Sequence, residues 1–163
     1  MDNNPFTVHK IDHLSASSIN LWVTDPCRWC LKYLMKIDSD YGASAQRGHI
    51  IEWALERWLA KGDIVTAKEL EDVFIKHLID KQIDVEAGKA VEEIKNLMPY
   101  YDMVHANCNY PNLVNYQEKV EVQYGDLPIP IIGYIDFVFD DFILDLKTTS
   151  KMPSICPETV KRQ

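Results

Sequence analysis

Two aspartates and a lysine stand close together in the segment GYIDFVFDDFILDLKTTSK, which covers residues 133 to 151. Asp136 lies within one predicted strand and Asp145 within the next, and Lys147 follows Asp145 after one residue. Side chains two residues apart in a strand share a face, and a hairpin can bring Asp136 beside them. Carboxylates on adjacent strands can bind a divalent cation, and an ammonium group can orient water or neutralise charge on a phosphate.

An exposed ion pair is the alternative interpretation of these residues. Asp-X-Lys triplets occur by chance in many proteins, so a surface pair between Asp145 and Lys147, with Asp136 solvated, would explain a lone triplet. Charged side chains among Ile, Phe, Val and Leu are costly in a buried strand unless they are paired or bind a metal. The short hairpin spacing, Gly133 three residues before Asp136, and the threonines after Lys147 favour a metal site.

A sheet and a set of helices must position these side chains. The period-two pattern predicts an antiparallel meander of three strands, over 116–124, 129–139 and 142–147, with turns at Gly125-Asp126 and Asp140-Asp141. The sheet and active site then cover residues 115–151, whereas residues 14–107 read as helical. The predicted fold class is α/β (α+β): a central mixed β-sheet containing the meander, flanked by helices.

Local signals predict where the helices begin and end. Ser15 is a predicted N-cap, and Pro26 fits the first position of the next helix. Apolar spacing predicts a helix over 44–60 that ends at Gly62, and two more follow over 66–82 and 85–107, the latter with a kink at Pro99.

Composition and charge bound the class of protein. The 163 residues are 47% hydrophobic and 26% charged, which is typical of a globular chain and excludes disorder. No apolar run approaches the ~18 residues of a membrane span, and the first residues lack the apolar stretch of a signal peptide. We therefore expect a single cytoplasmic domain over 1–163, with no membrane partner. The net charge of −8 disfavours a phosphate-rich partner, unless bound cations reverse the local sign.

Four short motifs carry a family resemblance. They are Leu14-Ser-Ala-Ser17, Pro26-Cys-Arg-Trp29, Gly133-X-X-Asp136, and Asp145-X-Lys147 followed by two threonines. Together they resemble the PD-(D/E)XK nuclease superfamily, in the RecB-like branch that includes CRISPR-associated exonucleases with an iron–sulfur cluster. The resemblance implies a restriction-endonuclease-like core with a helical N-terminal half.

One helix motif departs from that family pattern. The family has Gly-X-X-X-His, and here Gly48 is followed by Glu52 in the histidine position. Glutamate supplies an oxygen ligand to the same cation, although Glu52 alone could equally be an ordinary charged helix residue. The resemblance implies Mg²⁺ or Mn²⁺ held by Glu52, Asp136, Asp145 and the carbonyl of Leu146, with Asp136, Asp145 and Lys147 as the catalytic residues.

The implied function is that of a metal-dependent deoxyribonuclease, an exonuclease that acts on linear single- or double-stranded DNA in recombination, repair or phage DNA processing. Candidate DNA contacts are Lys151, Lys161, Arg162 and Gln163. Gln163 would be the glutamine of the family's Gln-X-X-X-Tyr helix, so we expect a C-terminally truncated chain. The resemblance includes phage-encoded proteins, so a phage-encoded origin is a further expectation in a bacterium or infected host cell. A catalytically inactive nuclease-like module that binds DNA or protein is the alternative.

The four cysteines suggest a second kind of metal chemistry. Cys27 stands where the iron–sulfur members of the family have their first cysteine ligand, and their other three would lie beyond residue 163. A [4Fe–4S] cluster is therefore expected only in a longer chain. A small zinc-binding adaptor is a more distant alternative, because the cysteine spacing beyond Cys27 and Cys30 is irregular.

Overall fold

The computed structural model describes residues 4–37, 42–108, 110, 112–148 and 155. The chain divides into two compact units. The first unit contains the described residues 4–37, 119–134 and 155, and the second unit contains 42–108, 110, 112–118 and 135–148. The predicted DNA contacts Lys151, Lys161, Arg162 and Gln163, and the fourth cysteine, Cys156, lie outside the described residues.

The described residues form six α-helices, one π-helical turn and a three-stranded sheet, which confirms the α+β prediction. The helices are α1 Pro5–Val8, α2 Ala16–Thr24, α3 Pro26–Trp29, α4 Ala43–Lys61, α5 Ala67–Asp80 and α6 Gly88–Asn107, and the π-helical turn is Cys30–Leu34. The strands are β1 Leu113–Val122, β2 Ile131–Phe139 and β3 Ile143–Leu144, in the spatial order β1-β2-β3. No helix in the described ranges is long and apolar enough to cross a bilayer.

The predicted helix boundaries in the first unit are confirmed. The Ser15 hydroxyl accepts from the Ser18 N–H at 3.1 Å, and the Ser18 hydroxyl accepts from the Ser15 N–H at 2.8 Å, so both free donors at the start of α2 are satisfied. Asp25 caps α3 by accepting from the Arg28 N–H at 3.0 Å, and Pro26 occupies the first helical turn.

The longer helices of the second unit also follow local signals. Gly62 ends α4 in the left-handed conformation, with φ of 71°, which a glycine adopts without steric penalty. Thr66 caps α5 through its hydroxyl. The last helix begins at Gly88, three residues later than predicted, because the Asp84 side chain accepts from the Glu86 N–H and holds a turn there. Pro99 lies inside α6.

A large core holds the second unit together. Leu55, Leu70, Phe74 and Leu78 from α4 and α5 are completely buried, and Phe137 of β2 is buried with them. The helix α6 adds buried side chains of its own, Ala90, Leu97 and Tyr101. Three helices and one face of the sheet therefore share a single apolar interior, which fixes the elements that carry the predicted site.

The third strand is shorter than its sequence pattern predicts. We expected it over 142–147, but pairing with β2 ends after Leu144, where Phe137 lies opposite. The tight turn at Asp140-Asp141 is present, since the Phe139 N–H donates to the Phe142 carbonyl at 2.9 Å. Beyond Leu144 the Leu146 N–H donates to the Asp136 carboxylate, so a side chain takes the place of a strand carbonyl as its acceptor. Asp145 and Lys147 consequently follow the strand rather than lie in it.

Candidate active site

A cavity of about 520 Å³ in the second unit is lined by four of the predicted site residues, and Asp145 is not among its lining residues. Its walls come from α4, from β1 and β2, and from residues 146–148 after β3. Glu52, Asp136, Leu146 and Lys147 all line it, so residues that are far apart in the sequence meet in one concave surface. The cavity is polar and open, which suits a charged substrate better than an apolar ligand.

Asp136 is held at the centre of this cavity by two donors. Its Oδ2 accepts from the Leu146 N–H at 2.9 Å, and its Oδ1 lies 3.3 Å from the amide nitrogen of Gln117. Burial raises the pKa of the Asp136 carboxyl, and the negative charge of Asp145 raises it further, against the lowering effect of the Leu146 N–H. Asp136 is thus a half-buried carboxylate with an acidic neighbour, a setting that favours a bound cation.

Glu52 reaches the same place from α4. Its Oε1 accepts from the amide of Gln117, the group that also contacts Asp136. Burial raises the pKa of Glu52, and the charge of Asp136 raises it further. The Tyr116 hydroxyl shares a hydrogen bond with Glu52, and burial followed by the charge of Glu52 raises the pKa of that phenol. The two carboxylates therefore converge on one amide nitrogen.

Sequence reasoning missed Gln117. In a regular strand Tyr116 and Gln117 would face opposite sides of the sheet, and only one could enter the cavity. Gln117 instead has a φ of 51°, and both side chains line the cavity, while the Tyr116 ring also lies 5.3 Å from Phe137. A left-handed residue inside a strand resembles a bulge, which re-aims a side chain, and no residue type in this stretch signals it.

Asp145 and Lys147 form a close ion pair. The Lys147 Nζ lies 2.5 Å from Asp145 Oδ1, and the two side chains are 50% and 46% exposed. An exposed pair of this kind contributes little to stability. The charge of Asp145 nevertheless acts on Asp136, so the structure brings Asp136, Asp145 and Lys147 together as the sequence predicted.

A close contact with Thr148 explains why the helix motif has glycine at position 48. A Cβ atom at Gly48 would lie 3.2 Å from the hydroxyl oxygen of Thr148, closer than most side chains approach. Gly48 is one helical turn before Glu52, so its missing side chain lets the segment after Lys147 approach the face of α4 that carries Glu52.

Arg47 is a second residue that the sequence did not indicate as part of this region. Its side chain is 4% exposed, forms an ion pair with Glu93 of α6, and stacks over the Tyr100 ring at 4.1 Å. One of its terminal nitrogens lies 3.5 Å from the Thr148 carbonyl oxygen. Arg47 thus links two helices to the end of the segment that carries Lys147. Because its partners are 46 and 101 residues away, no local pattern could have identified it.

The described cysteines do not assemble a metal site. Cys27 is exposed, Cys30 is half-buried and Cys108 is buried, and each is a free thiol. In the described part of the chain no group of three or more His, Cys, Asp or Glu side chains is arranged to hold a metal ion. The iron–sulfur role of Cys27 stays a prediction for a longer chain.

The donor set at the carboxylates still fits a hard divalent cation. Glu52 and Asp136 are oxygen donors that converge on a hydrogen-bond donor, and Asp145 lies beside Asp136. Mg²⁺ and Mn²⁺ prefer such carboxylate oxygens over sulfur. The Leu146 amide is committed to Asp136, and the role of its carbonyl as a ligand stays a prediction.

Comparison with known families gives one finding. A family model of the PD-(D/E)XK nuclease superfamily matches residues 13–161, which include every residue that lines the cavity. Neither the curated proteins nor the solved structures give a significant match to the chain.

Proposed function

Since the chain belongs to the PD-(D/E)XK nuclease superfamily, we propose that it is a Mg²⁺- or Mn²⁺-dependent deoxyribonuclease of the RecB-like branch. Membership itself gives a nuclease-like fold and a nucleic-acid substrate. The proposal adds that the substrate is linear DNA, degraded from its ends in recombination, repair or phage DNA processing, in the cytoplasm of a bacterium or infected cell.

One observation carries the proposal. Glu52 and Asp136 come from different elements, yet both accept a hydrogen bond from the amide of Gln117, with the Asp145–Lys147 pair beside Asp136. Half-buried carboxylates with raised pKa values repel one another, so bringing them together costs free energy. A structural role does not explain why the protein bears this cost. A site for a divalent cation explains it.

In the proposed mechanism Glu52, Asp136, Asp145 and the Leu146 carbonyl would hold the cation. When bound, the cation would polarise the phosphate and lower the pKa of a water molecule at the site. The Lys147 side chain would orient the attacking water and offset negative charge on the phosphate as an ammonium group, or would take the proton of the water as a neutral amine. Its ion pair with Asp145 keeps the ammonium near the carboxylates before substrate binds.

DNA contacts from Lys151, Lys161, Arg162 and Gln163 remain part of the proposal, as does an iron–sulfur cluster bound through Cys27 in a longer chain. If these residues contact backbone phosphates, the logarithm of the DNA affinity should fall linearly with the logarithm of the salt concentration.

Cleavage of internally labelled DNA tests the proposal. The protein is incubated with linear single-stranded, linear double-stranded and circular DNA, with Mg²⁺, with Mn²⁺ and with EDTA. We expect linear substrates to be shortened when a divalent ion is present and circular DNA to survive. Lys147→Ala should lower the rate at least about 100-fold, and Lys68→Ala, an exposed lysine on α5, should not. Equal rates for the two variants would contradict the assigned site.

A non-catalytic binding module is the second candidate function. It is favoured by the finding that the described residues contain no group of three or more metal-binding side chains. Such a module would bind the same linear DNA, measured by fluorescence anisotropy, with equal affinity in EDTA and in Mn²⁺, and would leave it intact. Cleavage by the wild-type protein but not by Lys147→Ala would exclude this candidate.

A further inference from the structure

A second cavity, of about 650 Å³, adjoins the candidate site on the same unit. It is lined by Gln46, His49, His77 and Lys81. His49 also lines the cavity that contains Glu52, so the two cavities share one wall. None of the four residues has a role in the mechanism above.

The geometry of α4 explains why the cavities are adjacent. Gln46 and His49 are three residues apart, and His49 and Glu52 are again three apart, so all three lie along one side of the helix. His49 is the middle residue and faces both cavities. A chain-like ligand that passes the carboxylates would therefore meet His49 next, and then the residues of α5 behind it.

A buried side chain holds the wall of the second cavity in a defined position. The Gln46 side chain is 2% exposed, and its Oε1 lies 2.7 Å from His77 Nε2. Because an amide oxygen only accepts, this contact places a proton on Nε2 and fixes the orientation of the imidazole. The His77 and His49 rings are 6.5 Å apart between centroids. A buried glutamine thus holds one imidazole opposite another across the cavity.

Lys81 supplies the positive charge among the four residues that line this cavity. Burial lowers the pKa of His77, the charges of Lys81 and His49 lower it further, and Asp80 at the end of α5 opposes them. An anion in the cavity would pair with the Lys81 ammonium and accept from an imidazole N–H of His49. In a protein with a net charge of −8, an ammonium group and an imidazole donor next to a carboxylate site point to a phosphate ligand.

We propose that the cavity lined by Gln46, His49, His77 and Lys81 binds a backbone phosphate of the substrate strand, next to the phosphate that is hydrolysed. This inference rests on the proposed nuclease function. It assigns His49 and Lys81 to substrate positioning, whereas His77, whose Nε2–H is bound to Gln46, forms part of the cavity wall. The ligand chemistry is that of a phosphodiester, and free inorganic phosphate is the alternative source of the same group.

A matched pair of charge reversals on one helical region tests the inference. Lys81→Glu changes a lining residue, and Lys76→Glu changes an exposed residue of α5 that does not line the cavity. Steady-state cleavage of linear DNA should show a KM that rises about tenfold in Lys81→Glu, with kcat within about twofold because the reacting groups are untouched. Lys76→Glu should keep the wild-type KM.

DNA affinity gives a readout that does not depend on cleavage. Binding of an end-labelled oligonucleotide in EDTA is followed by fluorescence anisotropy at several salt concentrations. Lys81→Ala should reduce the slope of log affinity against log salt by about 0.7 to 0.9, the loss of one phosphate contact. A His77→Ala variant should leave that slope unchanged, because a neutral imidazole whose N–H is bound to Gln46 donates nothing to a phosphate and releases no counterion.

Separate outcomes contradict the inference and the function. If wild type cleaves DNA and the two charge reversals share one KM, the phosphate site is wrong and the nuclease function stands. If inorganic phosphate binds wild type and not Lys81→Glu without displacing DNA, and both proteins bind DNA equally, the cavity holds free phosphate and the inference is overturned. If wild type neither binds nor cleaves DNA, both proposals fail.

Discussion

The two compact units differ sharply in how well they are packed. In the second unit Ile51, Leu55, Phe74 and Phe137 are fully buried and belong to one large cluster. In the first unit the cluster contains three buried apolar residues, Ile11, Trp29 and Ile129, each 8% or 9% exposed. Large apolar side chains of the first unit also face solvent, among them Trp22, Met35 and Tyr124.

The candidate site lies in the well-packed unit. Glu52 follows the fully buried Ile51 on α4, and Asp136 precedes the fully buried Phe137 on β2. A carboxylate that must keep its position against a neighbouring negative charge needs a rigid element beneath it. The buried core of the second unit therefore supports the placement of its charged side chains. Among the residues described, the first unit has no comparable group of carboxylates.

The largest expected difference between the units is in the cleavage rates of two matched Asp→Asn variants. Asp136→Asn removes a central carboxylate of the second unit, and we expect at least about a 1,000-fold loss of cleavage rate, or ~4 kcal/mol of transition-state stabilisation. Asp12→Asn removes an exposed carboxylate of the first unit that pairs with His13 and should leave the rate unchanged. Rates with linear DNA and Mn²⁺ decide this, and comparable losses in both variants would refute the assignment of the site.

Thiol reactivity should separate the units by at least about 100-fold. Cys27 of the first unit is exposed, whereas Cys108 of the second unit is buried, and burial raises the pKa of its thiol. Alkylation with iodoacetamide at pH 8, followed by peptide mass spectrometry, gives the rate at each cysteine. Equal rates would show that the second unit opens as readily as the first, contrary to the packing difference.

A matched pair of Ile→Ala substitutions measures the packing difference directly. Ile51 is fully buried in the second unit, and Ile129 is 8% exposed in the small cluster of the first. We expect Ile51→Ala to lower the free energy of unfolding by about 4 kcal/mol and Ile129→Ala by about 2 kcal/mol, since a cavity at the looser site can collapse. Urea denaturation followed by circular dichroism measures both. A larger loss for Ile129→Ala would reverse the comparison.

The smallest expected effect is a pH dependence of opposite sign in the two units. Burial raises the folded-state pKa of Glu52 and Asp136, so the native second unit binds more protons than the unfolded chain just above pH ~4. Without bound metal, the free energy of unfolding of this unit should therefore fall as the pH rises from the ordinary carboxyl pKa through the raised pKa of the folded state. Asp12 has a lowered pKa because of its hydrogen bond with His13, so its contribution is lost as pH falls.

Urea midpoints in EDTA at pH 5 and pH 7.5 check this prediction. Glu52→Gln should reduce the loss of stability at the higher pH, because one of the two titrating carboxyls is then gone. Asp12→Asn should leave that loss intact. A wild-type protein more stable at pH 7.5 than at pH 5, with no change in Glu52→Gln, would contradict the assigned cause.

Local signals made much of the fold predictable from the sequence. The hydroxyl of Ser15, the fixed φ of Pro26 and the freedom of Gly62 act within one helical turn, so the helix ends at these positions were predicted correctly. The proximity of Asp136, Asp145 and Lys147 followed from a short hairpin. Each of these features depends on residues that are close in the chain.

Features that depend on distant contacts could not be predicted in this way. Gln117 enters the cavity through a left-handed backbone conformation in β1, and Arg47 is buried by partners on another helix. The end of β3 at Leu144 depends on the Asp136 carboxylate, which takes the Leu146 amide. In each case a tertiary contact overrides the period-two or period-3.6 pattern that the local sequence suggests.

Binding of Mn²⁺ in the absence of DNA tests the central claim most directly, because it separates the carboxylate site from any effect on substrate. Calorimetric titration should give saturable binding to wild type and to Asp140→Asn, whose carboxylate lies in the exposed turn of the same hairpin. Glu52→Gln and Asp136→Asn should each lose at least about tenfold in affinity. Equal Mn²⁺ affinity in all four proteins would contradict the account.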